Sequence, residues 1–213
     1  MGNIKVFGHK NPDLDTVAST VAMSYLLKVR DGITADMVLL GEMNKEAKFV
    51  FNKFNLNINM PVISSIEDGT AVVLVDHNEF SQSVANIENA NIQMVVDHHK
   101  IDNFKTSAPL EYIAKPVGST STIIYGLLEG LNATDNNEVN TLLLSAIISD
   151  TLLFKSPTTT NLDKIVADKL ATSLNLDLNS YGLELLKAGA DLSDLTADEL
   201  VQIDSKEFDC NRT

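Results

Sequence analysis

Histidine and aspartate side chains follow apolar segments of this sequence, at the positions where buried strands would end. Ile4 to Phe7 leads into GHKNPDLDT at residues 8–16, AVVLV at 71–75 leads into DHN, and IQMVV at 92–96 leads into DHH. A fourth apolar run, LLLSAIIS, ends in Asp150, and all four histidines lie in these segments. Because ligands of open α/β sheets bind beyond the carboxyl ends of the strands, we expect these side chains to meet in one crevice.

Several carboxylates in one crevice repel one another unless protons or cations lie among them. Imidazole and carboxylate ligands without thiolate suit Mn²⁺, Co²⁺ or Fe²⁺, and Zn²⁺ less exclusively. The candidate ligands are His9, Asp13, Asp15, Asp76, His98 and Asp150. One ion needs only three or four protein ligands, so this set predicts two metal ions that share a bridging carboxylate. Paired ions of this kind hold a hydroxide and polarise a phosphoryl oxygen.

Simpler interpretations exist for each residue taken alone. A single Asp or His after a strand is commonly a helix cap, and Asp13 or Asp15 could be the favourable negative charge at a helix N-terminus. The segment PVGSTST at residues 116–122 opens a helix whose N–H groups could bind an anion, although Ser119 as an ordinary N-cap is the simpler interpretation. Repetition after four apolar runs favours the metal site over coincidence.

Strand and helix patterns alternate over the first two thirds of the chain, and helical patterns dominate after about residue 119. The predicted strands are 4–8, 37–40, 71–75 and 92–96, and the predicted helices are the stretch behind the first strand, 44–54, 119–131, 138–148, 162–174 and 178–188. Continuous apolar strands suit a parallel sheet covered on both faces. The predicted fold class is therefore α/β, a mainly parallel sheet with flanking helices, followed by a helical segment.

Composition narrows the classes of partner. The 213 residues are 44% hydrophobic, which is enough for an ordinary core, and the net charge is −13. So acidic a chain disfavours nucleic acid and anionic membranes as partners. Neither a membrane-spanning run nor a signal-peptide layout is visible, and Cys210 is the single cysteine. The expected location is the cytoplasm.

The segments GHKNPDLDT, VDHNE, VVDHHK and ISDTLLFKSPTTT resemble, in this order, the motifs of manganese-dependent, family II inorganic pyrophosphatases of the DHH phosphoesterase superfamily. The resemblance runs from residue 2 to about residue 208. It implies a Rossmann-like DHH catalytic domain over residues 1–188. Residues 189–213 would then be a linker and the first part of a C-terminal domain that continues for roughly a hundred residues in the family.

The resemblance also implies a role for each matched residue. His9, Asp13 and Asp76 would hold the first metal, and Asp15, Asp76, His98 and Asp150 the second. The implied catalytic residues are His99, Asp15 and Asp76; the implied substrate ligands are His99 and Lys206; and Asp97 and Asn78 would support the ligands from behind. For His77, a supporting role and a direct role stay equally open.

The activity implied is hydrolysis of pyrophosphate to two phosphates by a hydroxide that bridges two Mn²⁺ or Co²⁺ ions, with additional Mg²⁺ arriving with the substrate. Family members commonly form homodimers through edge strands. Their second domain carries an Arg-Lys pair that this sequence lacks, so we expect metal binding with weak or absent hydrolysis. The alternatives are a DHH-type phosphodiesterase acting on short oligonucleotides or cyclic dinucleotides, or a catalytically silent, metal-loaded dimerisation module.

Overall fold

The computed structural model describes residues 3–190, which fold into one parallel sheet and a layer of α-helices. The strands are β1 (Lys5–Phe7), β2 (Asp36–Met37), β3 (Ala71–Val75), β4 (Asn91–Asp97) and β5 (Glu111–Ala114). The helices are α1 (Leu14–Asp31), α2 (Lys45–Lys53), α3 (Thr120–Gly130), α4 (Asn137–Asp150), α5 (Asn161–Ser173) and α6 (Leu178–Ala190). The predicted α/β class is confirmed. The expected linker, apart from its first two residues, and Lys206 lie outside the described residues.

The strand order β2-β1-β3-β4-β5 creates a point where the chain reverses its direction across the sheet. From β1 the chain moves outward to β2, whereas from β3 it moves the opposite way, to β4 and β5, and all pairings are parallel. The neighbouring strands β1 and β3 therefore send their following loops apart. Such a switch point opens a crevice beyond the carboxyl ends of the two strands, where α/β proteins bind ligands.

The two faces of the sheet are covered differently. The helical face buries Val6, Val73, Val75 and Val96 against apolar side chains of all six helices. The opposite face buries Phe7, Val72, Leu74 and Val95 against residues of irregular segments, among them Val38, Ile66, Val84 and Ile87. Strand residues alternate between the faces, as the two-residue period of a β-strand requires.

Right-handed crossovers account for this asymmetry. A chain that moves toward β5 must cross on the face opposite to one that moves toward β2. Residues 76–90, which join β3 to β4, contain two short 3₁₀ turns and no α-helix, and residues 98–110 join β4 to β5 without one. The expected cover on both faces is present, but on one face it consists of loops.

Four strands were predicted within a few residues of their observed bounds, and β5 was missed. This edge strand, EYIA, is exposed at both ends and only half-buried between them, so it lacks the continuous apolar run that marks β3 and β4. The predicted helices correspond to α1–α6, and α6 continues to Ala190. None of the helices within residues 3–190 is both long and apolar enough to span a bilayer.

Candidate metal centre

Three of the candidate ligands, His9, Asp13 and Asp76, form one cluster, hereafter the first triad. The Nε2 atom of His9 lies 3.4 Å from a carboxylate oxygen of Asp13 and 3.4 Å from one of Asp76. Burial disfavours the charged imidazole, but hydrogen bonds to Asp13 and Asp76 outweigh it and raise the pKa of His9 to about 11. The positive ring therefore balances part of the carboxylate charge.

Local structure explains how the chain delivers these side chains. Asp13 is the N-cap of α1, and its other carboxylate oxygen accepts a hydrogen bond from the Thr16 N–H at 2.9 Å. The helix-cap interpretation and the ligand interpretation of Asp13 are thus compatible, because one oxygen serves each. The preceding turn passes through Asn11 at φ 55°, a left-handed conformation that asparagine tolerates well.

Asp76 occupies the centre of the site. It follows β3 in a left-handed conformation, φ 58°, and its N–H donates to the Val96 carbonyl at 2.9 Å. The Thr16 hydroxyl donates to one of its carboxylate oxygens at 2.8 Å, and the Thr120 hydroxyl donates to the other at 3.0 Å. Burial, followed by the charge of Asp15, raises the pKa of Asp76 to about 7. The carboxyl group is fixed on both sides by neutral donors.

Asp15, His98 and Asp150 form a second cluster, hereafter the second triad. They come from the first turn of α1, the loop after β4 and the C-terminal end of α4. The Nε2 atom of His98 lies 3.5 Å from Asp76, on the oxygen that does not face His9. Asp76 therefore stands between the two triads. Burial, then the charges of Asp15 and Asp76, raise the pKa of Asp150 well above its ordinary value.

The N-terminus of α3 binds the carboxylate of Asp15. One oxygen accepts from the Ser119 hydroxyl at 2.9 Å, the Ser121 hydroxyl at 2.6 Å and the Ser121 N–H at 3.0 Å, and the other accepts from the Thr120 N–H at 2.7 Å. Burial opposes ionisation, but the charge of His98 and hydrogen bonds from neighbouring side chains lower the pKa of Asp15 overall. The helix start does bind an anion, and that anion is the protein's own side chain.

Ser119 is also the N-cap of α3, as predicted, because its hydroxyl accepts from the Ser121 N–H at 3.2 Å. Gly118 allows the loop to pack tightly, since a Cβ there would lie 2.9 Å from a carboxylate oxygen of Asp163. Asp163 is completely buried and accepts hydrogen bonds from the Gly118 N–H and the Thr122 hydroxyl. It fastens the loop before α3 to the start of α5, where it completes a capping box with Thr160.

A third cluster adds His99 to Asp76 and His98. The Nδ1 atom of His99 lies 2.9 Å from Asp97, and this hydrogen bond raises the pKa of His99 to about 8. Half of the His99 side chain is exposed to solvent. Asn78 donates to the second carboxylate oxygen of Asp97 at 2.7 Å and to the Lys100 carbonyl at 2.8 Å. Asp97 and Asn78 therefore hold the loop that carries His98 and His99.

Both ring nitrogens of His77 are bonded to groups outside the three clusters. Its Nδ1 lies 2.9 Å from the Val75 carbonyl and its Nε2 lies 3.1 Å from the Ser83 hydroxyl. The ring packs near Phe7 on the opposite face of the sheet, and burial lowers its pKa to about 4. The geometry therefore favours the supporting role over the direct one.

Two cavities flank Asp76. One, of about 300 Å³, is lined by His9, His77, Gln82, His99 and Lys100 among others. The second, of about 210 Å³, is lined by Asp13, His98, Asp150 and Thr158 among others. Asp76 and His99 line both cavities, so these two side chains lie where the cavities meet.

The donor set of the triads fits divalent metal ions. Each triad offers one imidazole nitrogen and two carboxylate oxygens within 4.8 Å of one another. The Nδ1 atoms of His9 and His98 are occupied by the Lys10 and Val117 carbonyls, which leaves both Nε2 atoms toward Asp76. Backbone carbonyls commonly orient metal-binding histidines in this way. Mixed imidazole and carboxylate ligands suit Mn²⁺ and related ions.

All six residues predicted as ligands, and His99, are brought together at the switch point. The prediction missed Thr16, Thr120 and Ser121, whose N–H and hydroxyl groups hold Asp15 and Asp76. The available signal is the helix start in PVGSTST, for which an N-cap at Ser119 is the simpler interpretation and an anion site the alternative; the sequence does not indicate that the anion is Asp15.

Comparisons with known proteins show what this chain is similar to. A model of the N-terminal domain of the DHH family matches residues 3–149. A protein of Oceanobacillus iheyensis named "Probable manganese-dependent inorganic pyrophosphatase" is 50% identical over 203 residues, which cover 95% of this chain and 65% of the relative. A protein of Bacillus pumilus with the same name is 48% identical over 98% of this chain and 67% of its own length.

A solved structure from Methanococcus jannaschii, of a protein assigned to the family II inorganic pyrophosphatases, superposes with a TM-score of 0.80 and 39% identity. The match covers 92% of this chain and 64% of the other. The present chain belongs to the DHH family and, within it, to the manganese-dependent (family II) inorganic pyrophosphatases. It spans about two thirds of the length of the curated relatives it matches.

Proposed function

We propose that this chain is the metal-binding catalytic part of a pyrophosphatase that hydrolyses pyrophosphate to two phosphates. The observation that carries the proposal is the position of Asp76 between two triads of metal-type ligands, in a chain whose relatives are named manganese-dependent inorganic pyrophosphatases. His9, Asp13 and Asp76 would hold one ion. Asp15, Asp76, His98 and Asp150 would hold the other.

The chemistry that Mn²⁺ or Co²⁺ supplies at such a site is Lewis-acid polarisation of phosphoryl oxygens and activation of water. The protein's own contribution is positioning. Thr16 and Thr120 orient the Asp76 carboxylate, and the α3 N-terminus orients Asp15. Positioning and charge stabilisation dominate phosphoryl transfer, so catalytic roles for Asp15 and Asp76 consist in holding charge at fixed points.

His99 is the side chain best placed to contact the substrate. Half of its side chain is exposed and Asp97 occupies its Nδ1, so Nε2 is the ring atom left for a ligand. A pKa of about 8 keeps the ring largely protonated at neutral pH, and Nε2–H then donates to a phosphoryl oxygen or to the leaving phosphate. Further positive charge would arrive with the substrate as a Mg²⁺ complex, which suits a chain of net charge −13.

Lys206 is proposed as a second substrate ligand on the resemblance alone. The domain division at residue 188 is proposed on the same basis. We expect the 213 residues by themselves to bind metal and to hydrolyse pyrophosphate weakly or not at all. The Arg-Lys pair of the family's second domain does not occur in this sequence, and each charge-assisted contact that such a residue makes is worth about 1.5–3 kcal/mol of binding.

A parallel assay tests the function. Phosphate release from Mg²⁺-pyrophosphate is measured with Mn²⁺, Co²⁺ or Zn²⁺ added, with and without a separately supplied second domain from a relative. We expect release with Mn²⁺ or Co²⁺ that the second domain increases. The Asp150→Asn variant should lose this phosphate release. The control Asp68→Asn should keep it, because Asp68 is an exposed residue paired with Asn89 at the far end of the sheet.

The same assay separates the alternatives. Cleavage of a dinucleotide or cyclic dinucleotide in preference to pyrophosphate would assign a phosphodiesterase. Bound Mn²⁺ without turnover of any phosphoester, in the presence of the second domain, would assign a silent module and overturn the proposal.

A homodimer through the edge strand β5, acting in the cytoplasm, completes the proposal. The Lys115 N–H donates to the Asp97 carbonyl, so by the two-residue period the Ala114 N–H points away from β4. Pairing with a second copy would satisfy such edge groups. Sedimentation equilibrium should give a dimer that Ala114→Pro weakens. Proline has no N–H, and the N–H lost at this position is one that takes no part in the pairing of β5 with β4. A monomer at micromolar concentration would contradict it.

A further inference from the structure

Glu46 lies on the first turn of α2 and reaches the end of α4. The Ser149 hydroxyl donates a short hydrogen bond to a Glu46 carboxylate oxygen. Ser149 directly precedes Asp150, the last helical residue of α4 and a member of the second triad. A carboxylate of one helix therefore holds the turn that presents Asp150.

The start of α2 is itself attached to the loop of the first triad. The Asn44 N–H donates to the Pro12 carbonyl at 3.2 Å, and the Asn44 side chain caps α2 through the Ala47 N–H at 2.8 Å. At Gly41 a Cβ would lie 3.1 Å from the Pro12 ring. Residues 41–46 thus pack on the turn before Asp13. Glu46 connects this turn to the second triad.

The last turn of α6 closes over Glu46. A Cβ added at Gly189 would lie 2.5, 2.6 and 2.8 Å from three atoms of the Glu46 side chain, which are its three nearest neighbours. Gly189 is helical and needs no unusual φ, so close approach is the constraint that a larger residue would violate. The helix end at residue 190 thereby rests on the side chain that holds Ser149.

We propose that Glu46 is a positioning residue for the metal centre, which ties the C-terminal end of α6 to Asp150 through Ser149. The proposal rests on the metal-binding part of the proposed function and not on the identity of the substrate. It assigns to Glu46 and Gly189 control over the affinity of the second triad for Mn²⁺, although neither residue belongs to a triad. Supporting groups behind metal ligands typically change metal affinity by about 10- to 100-fold.

Mn²⁺ titration of the full chain, read by the electron paramagnetic resonance of free Mn²⁺, tests this. We expect one of the two sites to weaken about tenfold in Glu46→Ala, Ser149→Ala and Gly189→Ala. Glu46→Gln should stay within about threefold of the native protein, because its amide oxygen still accepts from Ser149. Rescue by this conservative variant separates positioning from loss of charge.

Two matched controls sharpen the experiment. Gly126→Ala places a methyl group on a helix where nothing lies within 4 Å, so it should leave both affinities unchanged. Lys53→Ala breaks the Lys53–Glu184 ion pair between α2 and α6 without touching Glu46, and it should also leave them unchanged.

The outcomes distinguish this proposal from the proposed function. Failure of the native chain to bind Mn²⁺ overturns the metal centre itself. Native binding with unchanged affinities in Ser149→Ala and Gly189→Ala overturns the role of Glu46 and leaves the centre standing. Should Glu46→Ala not fold, Ser149→Ala removes the same hydrogen bond at a small change of volume and decides the question.

Discussion

The two triads use the same residue types but balance their charge in different ways. In the first triad a histidine with a pKa of about 11 lies 3.4 Å from both carboxylates, so the protein supplies its own cation. In the second triad the two carboxyl groups differ: the pKa of Asp15 is lowered despite its burial, whereas burial and the charges of Asp15 and Asp76 raise the pKa of Asp150 well above its ordinary value. The two triads would therefore offer different charge environments to the divalent ions proposed to bind there.

The triads also differ in how the chain builds them. Two members of the first triad lie within residues 9–13, and the turn between them uses Asn11 in a left-handed conformation. The second triad joins residues 15, 98 and 150, and the turn after Asp150 places Leu152, Leu153 and Phe154 at positive φ. Apolar residues adopt this conformation at a cost of roughly 1–2 kcal/mol each. Two of the three members of the first triad therefore come from one short segment and Asp76 joins them from the end of β3, whereas the three members of the second triad come from α1, the loop after β4 and the end of α4.

Asp76→Asn tests whether the triads share one carboxylate. Asparagine tolerates the left-handed conformation at φ 58°, so the backbone should persist. We expect Mn²⁺ affinity to fall at both sites, by up to about a hundredfold each, because a charged ligand becomes neutral. Calorimetric titration measures this. One site that keeps native affinity would show that Asp76 serves a single ion, and Asp68→Asn is the control at the far end of the sheet.

Ser121→Ala tests the dependence of the second triad on α3. Its hydroxyl donates to Asp15 at 2.6 Å, and alanine removes this donor without changing the helix N–H groups. We expect about tenfold weaker Mn²⁺ binding at one site and no change at the other.

Ser145→Ala is the matched control for that variant. Ser145 is equally buried, on α4, and its hydroxyl bonds the Tyr181 hydroxyl instead of a carboxylate. It should lower the free energy of unfolding by about 1 kcal/mol and leave both affinities unchanged. Equal effects of the two serine variants on Mn²⁺ binding would remove the distinction between the triads.

The sequence was sufficient to predict the local parts of the site. The strand ends and the spacing of His9, Asp13 and Asp15 follow from short-range pattern, because a buried strand and a helix cap are local features. The donors to Asp15 could not be predicted in the same way. Ser119 and Ser121 are more than a hundred residues away from Asp15 along the chain, and only the packing of α3 against α1 brings them into contact.

The cover of the sheet shows the same limit. Residues 76–90 and 98–110 contain few helical signals, but the sequence did not reveal that their crossovers would leave one face covered by loops. That outcome follows from strand order, which local periodicity does not encode. The orientation of His77 is a further case, since its nitrogens are satisfied by Val75 and Ser83 only once the loop has folded back.

Alkaline pH should lower the stability of the protein through Tyr181, which belongs to neither triad. This effect is therefore a reference that does not depend on metal binding. Burial, partly offset by the hydrogen bond with Ser145, raises the pKa of Tyr181 from 10.0 to about 12. The folded state therefore holds the phenolic proton more tightly than the unfolded state. The resulting stability is complete below pH 10 and is lost as pH rises from about 10 to 12.

Urea denaturation of the native protein and of Tyr181→Phe, in EDTA at pH 9 and pH 11, measures this. The native protein should lose about 1 kcal/mol more than the variant between the two pH values. Equal losses would indicate that the Tyr181 hydroxyl is not buried in its neutral form. Because Tyr181 belongs to α6 and its hydroxyl bonds Ser145 of α4, the result also reports whether the helical layer behind Asp150 is intact.

Leu152→Asn addresses the strained turn that follows the second triad. Leu152 has φ 49°, and the residue is 54% exposed, so the substitution relieves strain while losing little packing. Its neighbour Leu153 is unsuitable, because it packs against Gly182 of α6. We expect the free energy of unfolding to rise by about 0.5–1 kcal/mol. Leu131→Asn, at an exposed leucine with φ −97°, should bring no gain in the free energy of unfolding.

The Mn²⁺ affinity of Leu152→Asn shows what the strained turn does. If the affinity at one site falls, the strain in this turn contributes to placing Asp150; if the affinity is unchanged, the turn only ends the helix.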